Sequence, residues 1–482
     1  MKKSLASVLS VMLVMFCFGS CAKTKESAEP VATVISKENT KNGTILHCWC
    51  WSFKTIEASM DKIAASGFTA IQTSPINTCL VGDNGGMEIF GKGATGKWYY
   101  HYQPTDWKIG NYQLGTRDDF ISMCRKADEY KIAVIVDVLP NHTTPDENKV
   151  SKDFYDAVGG KEKMYHKNGH KGMLSSSDRL QCTTYSAGSL PDVNTENPLF
   201  QKYFMAYMND VIECGADGFR FDTAKHIGLP DDPKDEYAAQ NNFWPVFTGK
   251  EAIDGIMLKD ADKLFLYGEV LQDGHSREDA YGKYLSVVAS DYGKMLRSAV
   301  KGRKFSAKGL KDFRNKAGKD KVVTWVESHD TYANQGESAK LTNFEIRAAW
   351  AFIASRQYGT PLFFNRPQGA EATQFPGASK IGDMGNDEFM NCEVAAVNKF
   401  RIAMAGQNEE LINGDDASLI MIKRGDKGIV IINLNGDAEC KINAGINLPD
   451  GTYKDKAHGL KFKVKDGVLT GTMPKETVAV VY

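Results

Sequence analysis

The sequence predicts an α/β protein: a (β/α)8 barrel with a loop-rich insertion after its third strand and a C-terminal antiparallel β-sandwich domain. Three observations predict it. Short apolar, β-branched runs alternate with helical stretches through residues 43–408, as crossover units around a parallel sheet do. One connection, residues 143–198, is far longer than a linker needs to be. From about Glu409 the helical texture gives way to alternating strands with turns at Asn413-Gly414, Asn435-Gly436, Asp450-Gly451 and Asp466-Gly467.

Taken in order, the strand candidates are residues 44–50, 69–74, 133–138, 218–222, 264–270, 284–289, 321–327 and 360–364, and eight such units suit a closed barrel. Helical patterns lie between them, for example at 56–65, 118–130, 200–214 and 343–355. The predicted organisation is a barrel from 43–142 and 199–408, an inserted domain at 143–198 and a β domain at 409–482. Hydrophobic residues make up 42% of the chain and aromatics 10%, enough for a large core. The formal net charge of -1 gives no electrostatic basis for a nucleic-acid partner, so a neutral, polar ligand is expected. A monomer is expected.

The first residues read as an address. Lys2 and Lys3 precede an apolar run at 5–19, the charged-then-apolar plan of an export signal, too short to span a bilayer comfortably. Phe18-Gly19-Ser20-Cys21 is similar to a lipoprotein processing site with Cys21 as the lipidated residue; plain cleavage and a buried N-terminal helix are the alternatives. Residues 22–42, without aromatics, read as a flexible tether to a membrane or cell surface. Of the 10 cysteines, Cys17 and Cys21 fall in this leader. The rest show no zinc-type CxxC pairing and are read as buried free thiols, although export permits disulfides.

The chemistry sits at strand ends. In a parallel barrel, polar residues at the C-terminal ends of strands face the mouth, where catalysis takes place. The third strand runs Ile135-Val136-Asp137-Val138-Leu139-Pro140-Asn141-His142. The fourth runs Gly218-Phe219-Arg220-Phe221-Asp222, then Thr223-Ala224-Lys225-His226. The fifth ends Tyr267-Gly268-Glu269 and the seventh Glu327-Ser328-His329-Asp330. Each alone reads equally well as a structural ion pair; four in order on one rim do not.

These segments resemble the four signature regions of the α-amylase family of glycoside hydrolases, and Leu190-Pro191-Asp192 resembles its accessory fifth region. Trp49-Cys50-Trp51-Ser52-Phe53 and Tyr102-Gln103-Pro104-Thr105 resemble the bacilli-type saccharifying members. The resemblance implies a TIM-barrel α-amylase, a retaining endo-hydrolase of α-1,4-glucosidic bonds in starch-like glucans. It implies Asp222 as nucleophile, Glu269 as acid/base and Asp330 as the third carboxylate. Arg220, two residues before Asp222, points the same way and should keep it ionised; nearby carboxylates should raise Glu269. Tyr102 would stack on sugar with Gln103 beside it, His142 and His329 would bond its hydroxyls, and Lys225 and Asn334 would lie beyond the cut. Taken singly, a rim histidine or tyrosine is more often structural.

The resemblance further implies a structural Ca²⁺ held by Asn141, Asp192 and the carbonyls of Thr183 and His226, an oxygen-only set. It would pin the insertion to the barrel. Chloride, which some members bind, is not expected: Arg220 is present, but Ser328 and residues 360–364 offer no further anion ligand. An α-glucosidase or transglycosylase would use the same residues. A non-catalytic glycan-binding surface lipoprotein is the reading from outside the enzymes, and the presence of all three carboxylates weighs against it.

Overall fold

The computed structural model describes residues 35–82, 86–90 and 97–482. The export signal, Cys21 and most of the tether therefore lie outside the described residues. Eight parallel strands close into a barrel: β1 Ile45–Cys48, β2 Ala70–Thr73, β3 Ala133–Val138, β4 Gly218–Phe221, β5 Phe265–Gly268, β6 Ser286–Val288, β7 Val322–Trp325 and β8 Thr360–Phe364. Sequential strands are neighbours throughout, and β8 pairs with β1 to close the ring. All eight candidate strands are present, most of them shorter at their ends than the sequence pattern suggested.

Two apolar layers explain the strand composition. Ile45, Ala70, Ala133, Ile135, Phe265, Tyr267, Val323 and Leu362 fill the interior, while alternate residues such as Leu46, Ile71, Val134 and Phe219 pack outward on the helices. Strands buried on both faces read as continuous apolar runs. Gly268 lets β5 approach closely, since a Cβ there would meet the Ala224 side chain at 2.7 Å.

The insertion after β3 is ordered by short helices, Lys152–Ala157, Lys161–Met164 and Arg179–Thr184, and by isolated bridges His142↔Asp192 and Tyr165↔Val193. The β domain is two four-stranded antiparallel sheets. In the first, Ile420, Ile422, Val430, Ile432, Val478 and Val480 pack against the barrel. Their alternates Leu419, Met421, Ile429, Ile431, Ala479 and Val481 pack against the second sheet. Asp466 (φ 51°) and Gly467 (φ 74°) make the left-handed two-residue turn joining Lys461–Lys465 to Val468–Met473.

Three differences from the sequence reading stand out. The end of the supposed tether is structured: Lys37–Asn42 is a helix capped by Ser36, its Lys37 N–H donating to the Lys263 carbonyl at 2.8 Å. Arg401 Nη2 also donates to the Lys41 carbonyl at 2.8 Å, so these residues have partners a linker would lack. A hairpin of Asn77–Cys79 with Pro104–Ile109, unanticipated, supports the segment carrying Tyr102. And one described cysteine, Cys392, is exposed where all were expected to be buried.

Candidate active site

Strand ends place the chemistry. The Asp222 N–H donates to the Val138 carbonyl and the Glu269 N–H to the Phe221 carbonyl, each at 2.9 Å, so the barrel's register fixes both carboxylates. Arg220 projects from β4 beneath them. Its Nη1 donates to both oxygens of Asp137 at 2.8 Å and to Asp222 Oδ1 at 2.7 Å, and its Nη2 lies 3.0 Å from Glu269 Oε2. Thr223 takes a left-handed conformation (φ 46°), costly for a β-branched residue, and its N–H donates to the same Glu269 Oε2 at 3.0 Å.

Asp330 completes the group from the turn after β7. It opens a π-helical turn, Asp330–Asn334, a distortion frequent at functional sites. Asn334 Nδ2 donates to its Oδ1, and His329 Nε2 lies 3.5 Å from its Oδ2. Tyr102 lies with its ring stacked on His329, centroids 4.9 Å apart, and its hydroxyl donates to Asp137 Oδ2 at 2.8 Å. His142 Nε2 is 3.0 Å from the Tyr102 carbonyl, while its Nδ1 is buried without a partner.

Burial decides the protonation pattern. It raises Asp222 to about 6 against the opposing pull of Arg220, so the group is ionised at neutral pH. It raises Asp330 to about 8, reinforced by the Glu269 and Asp222 charges. The Arg220 guanidinium touches Asp222 and Glu269 but not Asp330, whose side-chain donor is the Asn334 amide. His142 and His329 are pulled down by burial and stand neutral.

A cleft of about 910 Å³ is lined by Tyr102, Gln103, His142, Asp222, Lys225, Glu269, His329, Asp330 and Asn334. Every residue the sequence placed at the substrate site is thus brought together, with Arg220 behind the carboxylates. The two residues expected beyond the cut are held as well: Lys225 Nζ pairs with Asp273 at 3.0 Å, and Asn334 Nδ2 donates to Asp330. Sequence reasoning missed Asp137 as a functional residue. Its signal was a carboxylate inside an otherwise apolar strand, and it orients both Arg220 and Tyr102. It also missed Trp98, which packs edge-on to Tyr102 and His329 in the cleft wall.

Of the four residues assigned to calcium, Asn141 and Asp192 meet directly. Asn141 Nδ2 donates to Asp192 Oδ1 at 3.1 Å, both buried. Helix Arg179–Thr184, carrying Thr183, meets His226 through a 2.8 Å contact of His226 Nδ1 with the Cys182 carbonyl. One carboxylate, one side-chain amide and two backbone carbonyls offer the oxygen chemistry that Ca²⁺ takes. The sequence did not reveal His166. Its ring lies between Asp192 Oδ2 (2.6 Å) and Glu196 Oε2 (2.7 Å); burial opposes its charge, but these two bonds raise it to about 10.

Comparison with known proteins agrees with this geometry. The family model described as "Alpha amylase, catalytic domain" matches residues 52–293. The chain belongs to the α-amylase family. It is 44% identical to an α-amylase of Butyrivibrio fibrisolvens over 95% of this chain and 49% of that protein. It is 34% identical to an α-amylase of Clostridium acetobutylicum over 98% of this chain and 59% of that one. The chain therefore spans about half of the curated relatives it matches. Among solved structures, α-amylase I of Eisenia fetida superposes with a TM-score of 0.71 at 17% identity, covering 94% of this chain and 99% of that one. An Anoxybacillus α-amylase gives 0.69 at 19% identity over 92% and 98%. These two share the fold.

Proposed function

We propose that this α-amylase family member hydrolyses internal α-1,4-glucosidic bonds of starch, glycogen and maltooligosaccharides with retention of anomeric configuration. The observation that carries the reading is the grip of one guanidinium on two carboxylates, Asp222 at 2.7 Å and Glu269 at 3.0 Å. A shared partner fits the short spacing, roughly 5 to 5.5 Å, at which one carboxylate attacks carbon directly and the other handles the proton.

Asp222, ionised beside Arg220, attacks the anomeric carbon and forms the glycosyl-enzyme. Glu269 protonates the leaving oxygen and then deprotonates the incoming water. Both of its observed bonds go to Oε2, so the transferred proton belongs on Oε1. Asp330, whose carboxyl burial pushes up to about 8, exchanges hydrogen bonds with sugar hydroxyls as the ring flattens. The orphaned His142 Nδ1 is a ready partner for a further hydroxyl, with His329 beside it. Tyr102 and Gln103 face the glucose being cut, and Lys225 and Asn334 the far side.

Calcium, held by Asn141, Asp192 and the carbonyls of Thr183 and His226, would offset the buried Asp192 charge and tie the insertion to the barrel. It enters no step. Chloride independence follows from Arg220 already serving three carboxylates. Export, with Cys21 lipidated, belongs to the same reading; Cys21→Ser should release the protein from the membrane fraction.

Asp222→Asn and Glu269→Gln should each lower turnover on amylose by several orders of magnitude while glucan binding persists. Proton NMR should show the α-anomer first, and replacing chloride with acetate at constant ionic strength should leave the rate unchanged. A β-anomer as first product would overturn the assignment of Asp222. Glucose released from chain ends before iodine colour falls would overturn endo cleavage.

A further inference from the structure

Of the eight cysteines in the described residues, seven are buried and Cys392 is exposed. It is the first residue of helix Cys392–Ala403, where the helix dipole favours an anionic sulfur. His458, from the loop before strand Lys461–Lys465, brings its Nδ1 to 3.9 Å from the Cys392 sulfur. The ring's Nε2 lies 3.0 Å from Glu393 Oε1. Glu393 is buried and fixed: the Val478 N–H donates to the same oxygen and Arg347 Nε to the other, each at 2.8 Å. A carboxylate accepts, so in the neutral ring Nε2 carries the proton and Nδ1 turns its lone pair to the thiol.

The loop bearing His458 is itself built around a buried carboxylate. Asp455 accepts the N–H groups of Ala457 (3.0 Å), His458 (2.6 Å), Gly459 (3.1 Å) and Val480 (2.6 Å). The charged groups surrounding the thiol and ring are Glu393, Arg347, Glu388 and Asp455. Burial, then the Glu393 charge, pushes the Cys392 thiol up, and the Glu393 bond raises His458. The sulfur therefore needs its base. Nucleophile, base and orienting carboxylate in series is the arrangement of activated nucleophiles, and glucan cleavage uses none of the three.

We infer that Cys392 is a second reactive centre, a thiol assisted by His458 and Glu393 that exchanges with small disulfides and carries the resulting mixed disulfide between the barrel and the C-terminal sheets. His458 Nδ1 takes the thiol proton. The Cys392 sulfur attacks one sulfur of the reagent disulfide and forms the new S–S bond. The old S–S bond breaks, and its leaving thiolate takes the proton from His458. Cys392 is oxidised and one half of the reagent is reduced to a thiol.

The test is to incubate the intact chain with oxidised glutathione at pH 7 and follow adducts by mass spectrometry and peptide mapping. Cys392 should react first, a thiol reductant should remove the adduct, and Cys392→Ser should abolish it. His458→Gln should slow modification by roughly tenfold or more, with starch hydrolysis unchanged. Wild-type Cys392 should also exchange faster than an unperturbed small thiol under the same conditions, a comparison that needs no variant. A His458→Gln rate equal to wild type, a rate no faster than the free thiol, or earlier modification of another described cysteine would each overturn the inference.

Discussion

At Arg220 one guanidinium meets Asp137, Asp222 and Glu269, with Asp330 left to the side. The arrangement has a stability consequence. Asp330 is raised from 3.8 to about 8 in the fold, and Asp222 and Asp137 to about 6. Through these three groups the folded state binds more protons than the unfolded chain between about pH 4 and 8, and their contribution to stability falls as pH rises through that window. Asp330→Asn cannot ionise, so it should remove part of this slope: the melting temperature at pH 8 should rise by about 2 °C or more, with little change at pH 5. Activity should fall in the same variant. Equal melting of variant and wild type at both pH values would show that no buried charge is relieved there. Asp222, Glu269 and Asp330 were legible because each follows a strand in a recognisable segment. Asp137 was not, because its role lies in contacts with Arg220 and Tyr102, residues far away in sequence.

The insertion at 143–198 shows what an element adds. Its composition, rich in Gly, Ser and Lys, gave no account of its order, and an ion was invoked to supply one. The structure shows further supports. Phe154 packs against Trp107, centroids 4.8 Å apart, and against Tyr203 at 5.0 Å. His166 joins Asp192 to Glu196. Both carboxylates come from the segment that returns to the barrel, so removing the ring leaves two buried carboxyl groups without their shared donor. His166→Gln should destabilise the protein by roughly 3 kcal/mol, as breaking a buried charge network does. Calcium should act separately, through Asp192 Oδ1, and the wild-type melting temperature should rise with free calcium by mass action. Thermal melts across a chelator-to-millimolar series check both. A curve indifferent to calcium, together with metal analysis finding none, would remove the ion from this site and leave His166 as its cation. Asn141 and Asp192 were readable from their motifs; His166 was not, since nothing in Tyr165-His166-Lys167 marks a buried ring.

Across the whole molecule the β domain is joined to the barrel by more than a linker. The turns of that domain were visible in the sequence because Asn-Gly and Asp-Gly pairs have a local cause. Its docking was not, because a sheet apolar on both faces does not say what covers each. The structure does: alternate residues of the first sheet belong to the barrel's own core cluster, including Ile420, Val430 and Val478. Buried polar ties cross the same boundary. Arg356, at the end of helix Asn343–Ala354, holds Glu409 through Nε and Nη2, each at 2.8 Å. Arg424 returns from the sheet to the carbonyls of Ser355 (3.1 Å), Arg356 (3.0 Å) and Met404 (2.7 Å). Unfolding the sheets alone would expose the barrel helices and strand those guanidiniums and carbonyls without partners, so neither part gains by melting first. Residues 35–482 should therefore unfold in one calorimetric transition. Glu409→Gln should lower the temperature of that transition without splitting it, and a chain truncated after residue 408 should aggregate. Two resolved transitions, with glucan hydrolysis surviving the first, would show that the shared core does not couple the sheets to the barrel.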